Sequence, residues 1–335
     1  MKRALITGIT GQDSAYLAKS LLEKGYKVFG AHRKTSNPNF WKLHYLDVYD
    51  KIDFVSFDLL DSKSISEMLD KTNPDVVYNN AAQSFVASSF DQPLYTSDVT
   101  GSGVIRMLEG IKKFNHKIKF FQASSSEMYG LEKSEIKNEN TSFHPISPYA
   151  IAKVNAYWIT RMYREAYGMF TVNGILFNHE SPIRGIEFVT RKISNGVAKI
   201  SLGLEKSLKL GNLSAQRDWG YAPEYTEGII SMMTHKKSDD YILATNETHS
   251  IKEFVDEACK VANISNSKIK TSKKNFRVND VQKTKGDYKK AKRELGWSPK
   301  TKFKKIVKIM VEADIDRWEK FLKKEAQPWD IGTGM

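Results

Sequence analysis

Short apolar runs alternate with amphipathic stretches along the first half of the chain. Ala4-Leu5-Ile6-Thr7, Tyr26-Lys27-Val28-Phe29-Gly30, Ile52–Phe57, Pro74–Tyr78 and Ile118–Phe121 have the length and composition of buried strands. Between them, Tyr16, Leu17, Leu21 and Leu22 share one helical face, and so do Val104, Met107, Leu108 and Ile111. A helix opening at Ser147-Pro148 runs through Tyr157, Trp158, Met162 and Tyr163 to a further strand, Thr171–Phe177. This alternation predicts an α/β fold, a doubly wound parallel sheet that takes ligands at the carboxyl ends of its strands. After Phe177 the pattern becomes irregular, as expected of a second layer closing over a substrate. The expected division is residues 1–177 and 218–246 for a dinucleotide-binding domain, 178–217 and 247–327 for a smaller α/β substrate-binding domain, and 328–335 as a tail.

The first strand runs into Gly8-Ile9-Thr10-Gly11-Gln12-Asp13-Ser14 and then a helix. Glycines there let the backbone turn tightly and approach a pyrophosphate, which the helix N-terminus faces, so the sheet is of Rossmann type. Ser14 stands where a third glycine is usual, a position that needs only a small residue. An NAD-specific site would carry an acid about 20 residues past the loop. This chain has Ala31-His32-Arg33-Lys34-Thr35-Ser36, whose cations suit the extra phosphate of NADP.

Composition narrows the function classes. The 335 residues are 40% hydrophobic, enough to build a core, and no apolar run is long enough to span a bilayer. The N-terminus opens directly on a strand, without a signal-peptide layout, and the one cysteine, Cys259, excludes an internal disulfide. A cytoplasmic protein is expected, with Cys259 packed among helical apolar neighbours. The net charge of +13 points to anionic partners. No basic helix with interleaved aromatics supports nucleic acid, and phosphorylated small molecules explain the charge as well. No metal-ligand cluster and no membrane partner are expected.

The candidate chemistry lies in Gln122-Ala123-Ser124-Ser125-Ser126-Glu127, at the end of a strand, and in Tyr149 and Lys153, one helical turn apart. Tyr149 can take a hydroxyl proton if Lys153 and an oxidised nicotinamide lower its pKa, while Ser125 hydrogen-bonds the same oxygen. Those three suit any sugar or alcohol oxidation. Glu127 adds a carboxylate able to remove the proton alpha to a new carbonyl, which makes elimination of a hydroxyl from the next carbon possible. Return of the hydride then closes a redox-neutral cycle. A simple epimerase or reductase has no need of Glu127, and a catalytically silent scaffold has no need of the set.

The residues Gly8–Asp13, Gln122-Ala123-Ser124, Ser147–Ala150, Gly174–Pro182, Phe188–Lys192 and Arg217–Gly220 together resemble the GDP-mannose 4,6-dehydratase family of NADP-dependent extended short-chain dehydrogenases/reductases. The resemblance implies a hydro-lyase that turns GDP-D-mannose into GDP-4-keto-6-deoxy-D-mannose, in deoxysugar biosynthesis. The alternative is the same reaction on GDP-D-glycero-D-manno-heptose. It implies Ser125, Glu127, Tyr149 and Lys153 as the catalytic group, with Ser125 where the family usually has Thr. It implies cofactor contacts at Gly8, Ile9, Thr10, Gly11, Gln12, Asp13, Arg33, Lys34, Thr35, Ser36, Asp58, Leu59, Asn80, Ala81, Ala82, Gln83, Ser84, Tyr95, Lys153, His179 and Arg184. Substrate contacts would fall on Ser84, Ser125, Glu127, Tyr149, Asn178, Val189, Lys192, Gly211, Arg217, Arg277 and Asp280, the last in place of a usual Glu. The segment after Arg33, which in the family reaches a neighbouring subunit, is short here, so both a homodimer and a homotetramer are compatible with the family.

Overall fold

The computed structural model describes residues 1–36, 38–272 and 281–325. Seven parallel strands form the central sheet: β1 (Arg3–Thr7), β2 (Lys27–His32), β3 (Asp53–Ser56), β4 (Val76–Asn79), β5 (Lys119–Ser125), β6 (Thr171–Leu176) and, much later in the chain, β11 (Asp240–Leu243). Their order is β3-β2-β1-β4-β5-β6-β11, so the winding direction reverses between β1 and β4. In such sheets the crevice at the reversal, outside the carboxyl ends, is where ligands sit.

Successive residues on a strand face opposite sides, and both faces of this sheet are covered. On β4 and β5, Tyr78 and Phe121 join one core, Val77 and Phe120 the other. The first core is closed by α1 (Gln12–Glu23), α2 (Trp41–Tyr45), and later α9 (Ala222–Thr234) and α11 (Lys289–Leu295). The second is closed by α3 (Ser62–Thr72), α6 (Gly103–Asn115) and α7 (Pro148–Tyr167), with α4 (Val86–Asp91) and α5 (Pro93–Ser97) lying ahead of α6 in the chain. Val104, Met107, Leu108 and Ile111 are fully buried, as their spacing predicts.

The remaining strands are short: β7 (Asn178–Glu180), β8 (Leu208–Leu210), β9 (Gln216–Arg217), β10 (Trp219–Tyr221), β12 (His249–Ser250) and β13 (Ile269–Thr271). They pair two by two, β7 with β10, β9 with β12 and β8 with β13. A third apolar cluster joins α8 (Val189–Ser201), α10 (Ile251–Val261) and α12 (Phe303–Leu322), with Cys259 buried in it. Burial pushes the Cys259 thiol up to about 11, as befits a packed thiol. No helix among the described residues is long and apolar enough to cross a membrane. Arg277, Asp280 and the tail lie outside the described residues.

Candidate active site

β5 extends four residues further than its apolar run, so Ser124 and Ser125 belong to the strand rather than to a loop. Ser125 then caps a single 3-10 turn, Ser126–Tyr129, by accepting from the Glu127 N–H at 3.2 Å. That turn brings Glu127 round to the strand end. Gly130 closes it at φ 49°, where a Cβ would lie 1.8 Å from the His144 carbonyl oxygen, so only glycine fits. On α7, the Ser147 hydroxyl accepts from the Ala150 N–H at 3.1 Å and Pro148 occupies the first turn, as the sequence predicts. Tyr149 and Lys153 are consequently buried on the face turned to β5.

Lys153 is held by a chain of buried polar groups that crosses the sheet. Thr7 Oγ1 donates to Asn79 Oδ1 (2.8 Å), Asn79 Nδ2 to Gln122 Oε1 (2.8 Å) and Gln122 Nε2 to the Ala123 carbonyl (3.0 Å). Lys153 Nζ donates to that same carbonyl at 2.6 Å. Burial lowers Lys153 to about 8 and pushes the Tyr149 phenol up to about 12, the latter against the pull of the Ser125 hydroxyl. The expected lowering of Tyr149 invokes Lys153 together with an oxidised nicotinamide. In the protein alone, desolvation of both groups is the larger effect.

The first-strand loop and the Asn178–Ser181 block interlock. Gln12 Nε2 donates to the His179 carbonyl (3.2 Å), Ser181 Oγ to Gln12 Oε1 (2.7 Å), and His179 Nε2 lies 2.9 Å from Asp13 Oδ2. Burial works against both charges of the last pair. The His179–Asp13 attraction outweighs it, raising His179 above its ordinary value and, with Gln12 and Arg184, holding Asp13 well below the usual carboxylate range. Glu180 accepts from Thr190 Oγ1 (2.6 Å) and lies 3.3 Å from Arg184 Nε. In the parallel pair of β7 and β10, Asn178 stands opposite Trp219 and His179 opposite Gly220. Asp218 accepts from Thr245, Asn246 and Gly286, and burial raises its carboxyl to about 6. The Asn178–Ser181 and Arg217–Gly220 blocks are therefore neighbours, and His179, Ser181, Arg217 and Asp218 each bond to backbone groups.

Two cavities open at the strand ends. One of about 240 Å³ is lined by Gly8, Gly11, Gln12, Asp13, Asn80, Ala82, Ser84, Ser125, Glu127, Tyr149, Lys153, Asn178, His179 and Arg184, among others. The other, of about 260 Å³, is lined by Glu127, Asn178, Val189, Lys192, Gly211 and Arg217. Arg217 is buried and donates to the Gln216 and Val281 carbonyls. Glu127, Asn178, Arg184, Glu187 and Phe188 line both, so Glu127 stands at the wall the cavities share.

The remaining expected residues do not line either cavity. Ile9 is buried, and Ala81 backs the loop, its N–H donating to Thr7 Oγ1. Thr10 follows Ile9 in the loop, and Gln83 is tied to Thr100 and the Phe85 carbonyl. Arg33, Lys34, Thr35 and Ser36 are exposed beyond β2, where Arg33 donates to the Tyr95 hydroxyl at 2.7 Å. Asp58 and Leu59 follow β3, Leu59 packed beneath Gly103. Lys42, Glu187 and Phe188 line the first cavity without having been singled out for a role. Lys42 and Glu187 sit outside the blocks with recognisable spacing. Phe188 is the N-cap residue of α8, and its ring lies 3.7 Å from the Arg184 guanidinium carbon.

The arrangement fits a dinucleotide. Gly11 caps α1 without a side chain, leaving that helix start open towards the first cavity. Gly8 has φ 66°, and a Cβ there would lie 3.0 Å from the Ala81 backbone. Comparisons with known proteins give the family. A family model described as GDP-mannose 4,6 dehydratase matches residues 5–310. The Arabidopsis thaliana protein GDP-mannose 4,6 dehydratase 1 is 47% identical over 328 residues, covering 94% of this chain and 90% of that one. Among solved structures, dTDP-glucose 4,6-dehydratase from Bacillus anthracis, in complex with NAD, superposes with a TM-score of 0.83 at 21% identity, over 97% of this chain and 100% of that one. RMD from Pseudomonas aeruginosa, complexed with NADPH, gives 0.77 at 19% identity, over 94% and 100%. With the family model covering nearly the whole chain, the protein belongs to the GDP-mannose 4,6-dehydratase family.

Proposed function

We propose that the chain is a hydro-lyase that removes water from GDP-D-mannose to give GDP-4-keto-6-deoxy-D-mannose, using a recycled nicotinamide cofactor, NADP. The observation that carries this reading is Glu127, which lines both cavities beside Ser125 and Tyr149. The relatives' name favours the hexose over the heptose alternative. A cofactor is supported by the glycine loop, and NADP over NAD by Arg33–Ser36, a stretch without an acid at the end of β2. The sugar nucleotide would occupy the second cavity, lined largely by residues 178–217, the stretch assigned to the substrate-binding domain. Exposed Ile151, Trp158 and Met162, on one side of α7, support self-association, and a buried Cys259 suits a reducing cytoplasm.

The glycine loop, Asn80, Ala82, Lys153, His179 and Arg184 would hold the cofactor, which supplies a hydride acceptor and donor and, when oxidised, a positive charge. Tyr149 takes the proton of the sugar's 4-hydroxyl, with Ser125 bonded to the same oxygen. Glu127 removes the carbon-5 proton, now alpha to a carbonyl, and passes a proton to the 6-hydroxyl, which leaves as water. Once hydride has been returned to carbon 6, a proton added at carbon 5 completes the product. One water is lost and the cofactor is unchanged.

The test is mass spectrometry of GDP-mannose incubated with protein and NADP in deuterated water. The expected product has lost one water and carries one deuterium at carbon 5. Glu127→Gln should lower turnover about 10²-fold or more while still reducing NADP on addition of GDP-mannose. Full turnover by that variant would overturn the assignment.

A further inference from the structure

We propose that Lys42, on the short helix α2, is a phosphate contact of the cofactor site and faces the pyrophosphate of the dinucleotide bound by its own chain. The inference rests on the nicotinamide-cofactor reading above. Lys42 lines the first cavity together with Gly8, Gly11, Gln12 and Asp13, the loop that would cradle a pyrophosphate. It does not line the second cavity, which separates it from the phosphates of a sugar nucleotide.

Helix α2 is too short to be stable by itself, and its position comes from packing. Leu43 is fully buried and Trp41 is 9% exposed, in the core that also holds Tyr16 and Leu17 of α1. α2 is thereby fixed to the helix whose N-terminus faces the cavity. On its other side, the Arg317 guanidinium lies 5.2 Å from the Tyr45 ring and 5.9 Å from Trp41. The Lys42 ammonium rests 4.8 Å from the Trp41 ring centroid. An aromatic face orients a cation at little cost in hydration, so the charge is presented rather than trailing in solvent.

The electrostatics call for such a cation. A pyrophosphate carries two negative charges, and the wall at the loop already contains the Asp13 carboxylate, whose charge His179 offsets. The α1 N-terminus contributes roughly half a positive charge. Lys42 places a further cationic side chain on that wall. Arg33–Ser36 lie outside the cavity, beyond β2, and are the stretch proposed above to favour NADP. Pyrophosphate, not the 2′-phosphate, is therefore the assigned partner.

Calorimetric titration of NADP and of NAD into wild type, Lys42→Met and Lys42→Arg tests this. Met keeps the apolar stem beside Trp41. If the wild type binds neither cofactor, the cofactor reading fails, and the assignment of Lys42 falls with it. If it binds, Lys42→Met should weaken both cofactors about tenfold or more, with a shallower dependence on salt. Lys42→Arg should recover most of the loss, and the melting temperature without cofactor should stay that of the wild type. Weakening confined to NADP would overturn the pyrophosphate assignment in favour of the 2′-phosphate. Unchanged affinity for both, or a loss that Arg fails to rescue, would overturn the proposal.

Discussion

At the residue scale, two members of the proposed catalytic group, Tyr149 and Lys153, are set apart by burial as much as by identity. Lys153 is 3% exposed and sits at about 8, well below its usual 10.5. Its folded value is depressed, so the unfolded chain binds the extra proton between those limits and stability rises as pH climbs from 8 to 10.5. Lys153→Met should therefore stabilise the cofactor-free protein below pH 8, by up to ~3 kcal/mol, with the gain fading as pH approaches 10.5. Chemical denaturation at a series of pH values checks it, and a constant difference would refute the linkage. Tyr149 carries the converse expectation. Its phenol, at about 12 in the protein alone, should titrate lower once oxidised cofactor is added, read as the ultraviolet difference between wild type and Tyr149→Phe. That Ser125, Glu127, Tyr149 and Lys153 would come together was legible in the sequence, from a strand end and a helical spacing, and the four line one cavity. Their protonation was not legible there. The spacing of Tyr149 and Lys153 suggests a cation beside a phenol, but it does not reveal that both are desolvated.

At the scale of elements, the first six strands of the sheet and the helices α1, α6 and α7 followed the apolar pattern, since each buries a continuous stripe. What escaped includes the 20-residue α12 and the strand β11, both beyond the regular alternation, and several short elements. α2 is five residues with Trp41 and Leu43 inward, and no period can be read over so few positions. The 3-10 turn at Ser126–Tyr129 is held by the Ser125 cap and by Gly130 at positive φ rather than by any apolar repeat. Gly130→Ala should accordingly cost about 2 kcal/mol or more and reduce activity in step, because the His144 carbonyl occupies the space of the added methyl. Urea denaturation compared with turnover would show it. Equal stability would mean the 128–144 region can move aside. The strand extension through Ser125 has a similar origin: Ser124 and Ser125 lie opposite Ile175 and Leu176 of β6, and pairing overrides the weak strand preference of serine.

For the molecule as a whole, the sheet order puts the glycine loop, the serine turn and the β7 block at one edge. Two cavities meet there and share five side chains. Ligands that order the same side chains should help one another. NADP is expected to tighten GDP-mannose binding several-fold, and GDP-mannose to tighten NADP by the same factor. Independent affinities in paired titrations would show that the shared wall is already rigid. The doubly wound architecture was legible from the alternation of strands and helices. The distribution of polar residues between ligand and scaffold was not. His179 and Arg217 read in sequence as ligand contacts, yet in the fold each also holds neighbouring parts of the chain.

The buried cluster that fastens α12 has a consequence for how the protein comes into being. Asp314 takes Arg191 Nε at 3.0 Å through both its oxygens, accepts from Ser194 Oγ at 2.6 Å and pairs with Arg317 at 2.5 Å. Arg191 in turn donates to the Arg184 carbonyl, and Arg317 to that of Pro182. Removing one partner of a buried pair strands a charge at a cost of roughly 3–5 kcal/mol. A growing chain avoids that cost by keeping Arg191 in water until Asp314 has been made. Arg191 emerges long before Asp314, so the loop carrying Arg184 waits for the last helix before it can set. The Rossmann sheet is finished little earlier, since β11 and the core residues Ala291 and Trp297 come late in the chain, so the sheet and the rim around its carboxyl ends are completed by neighbouring stretches of sequence.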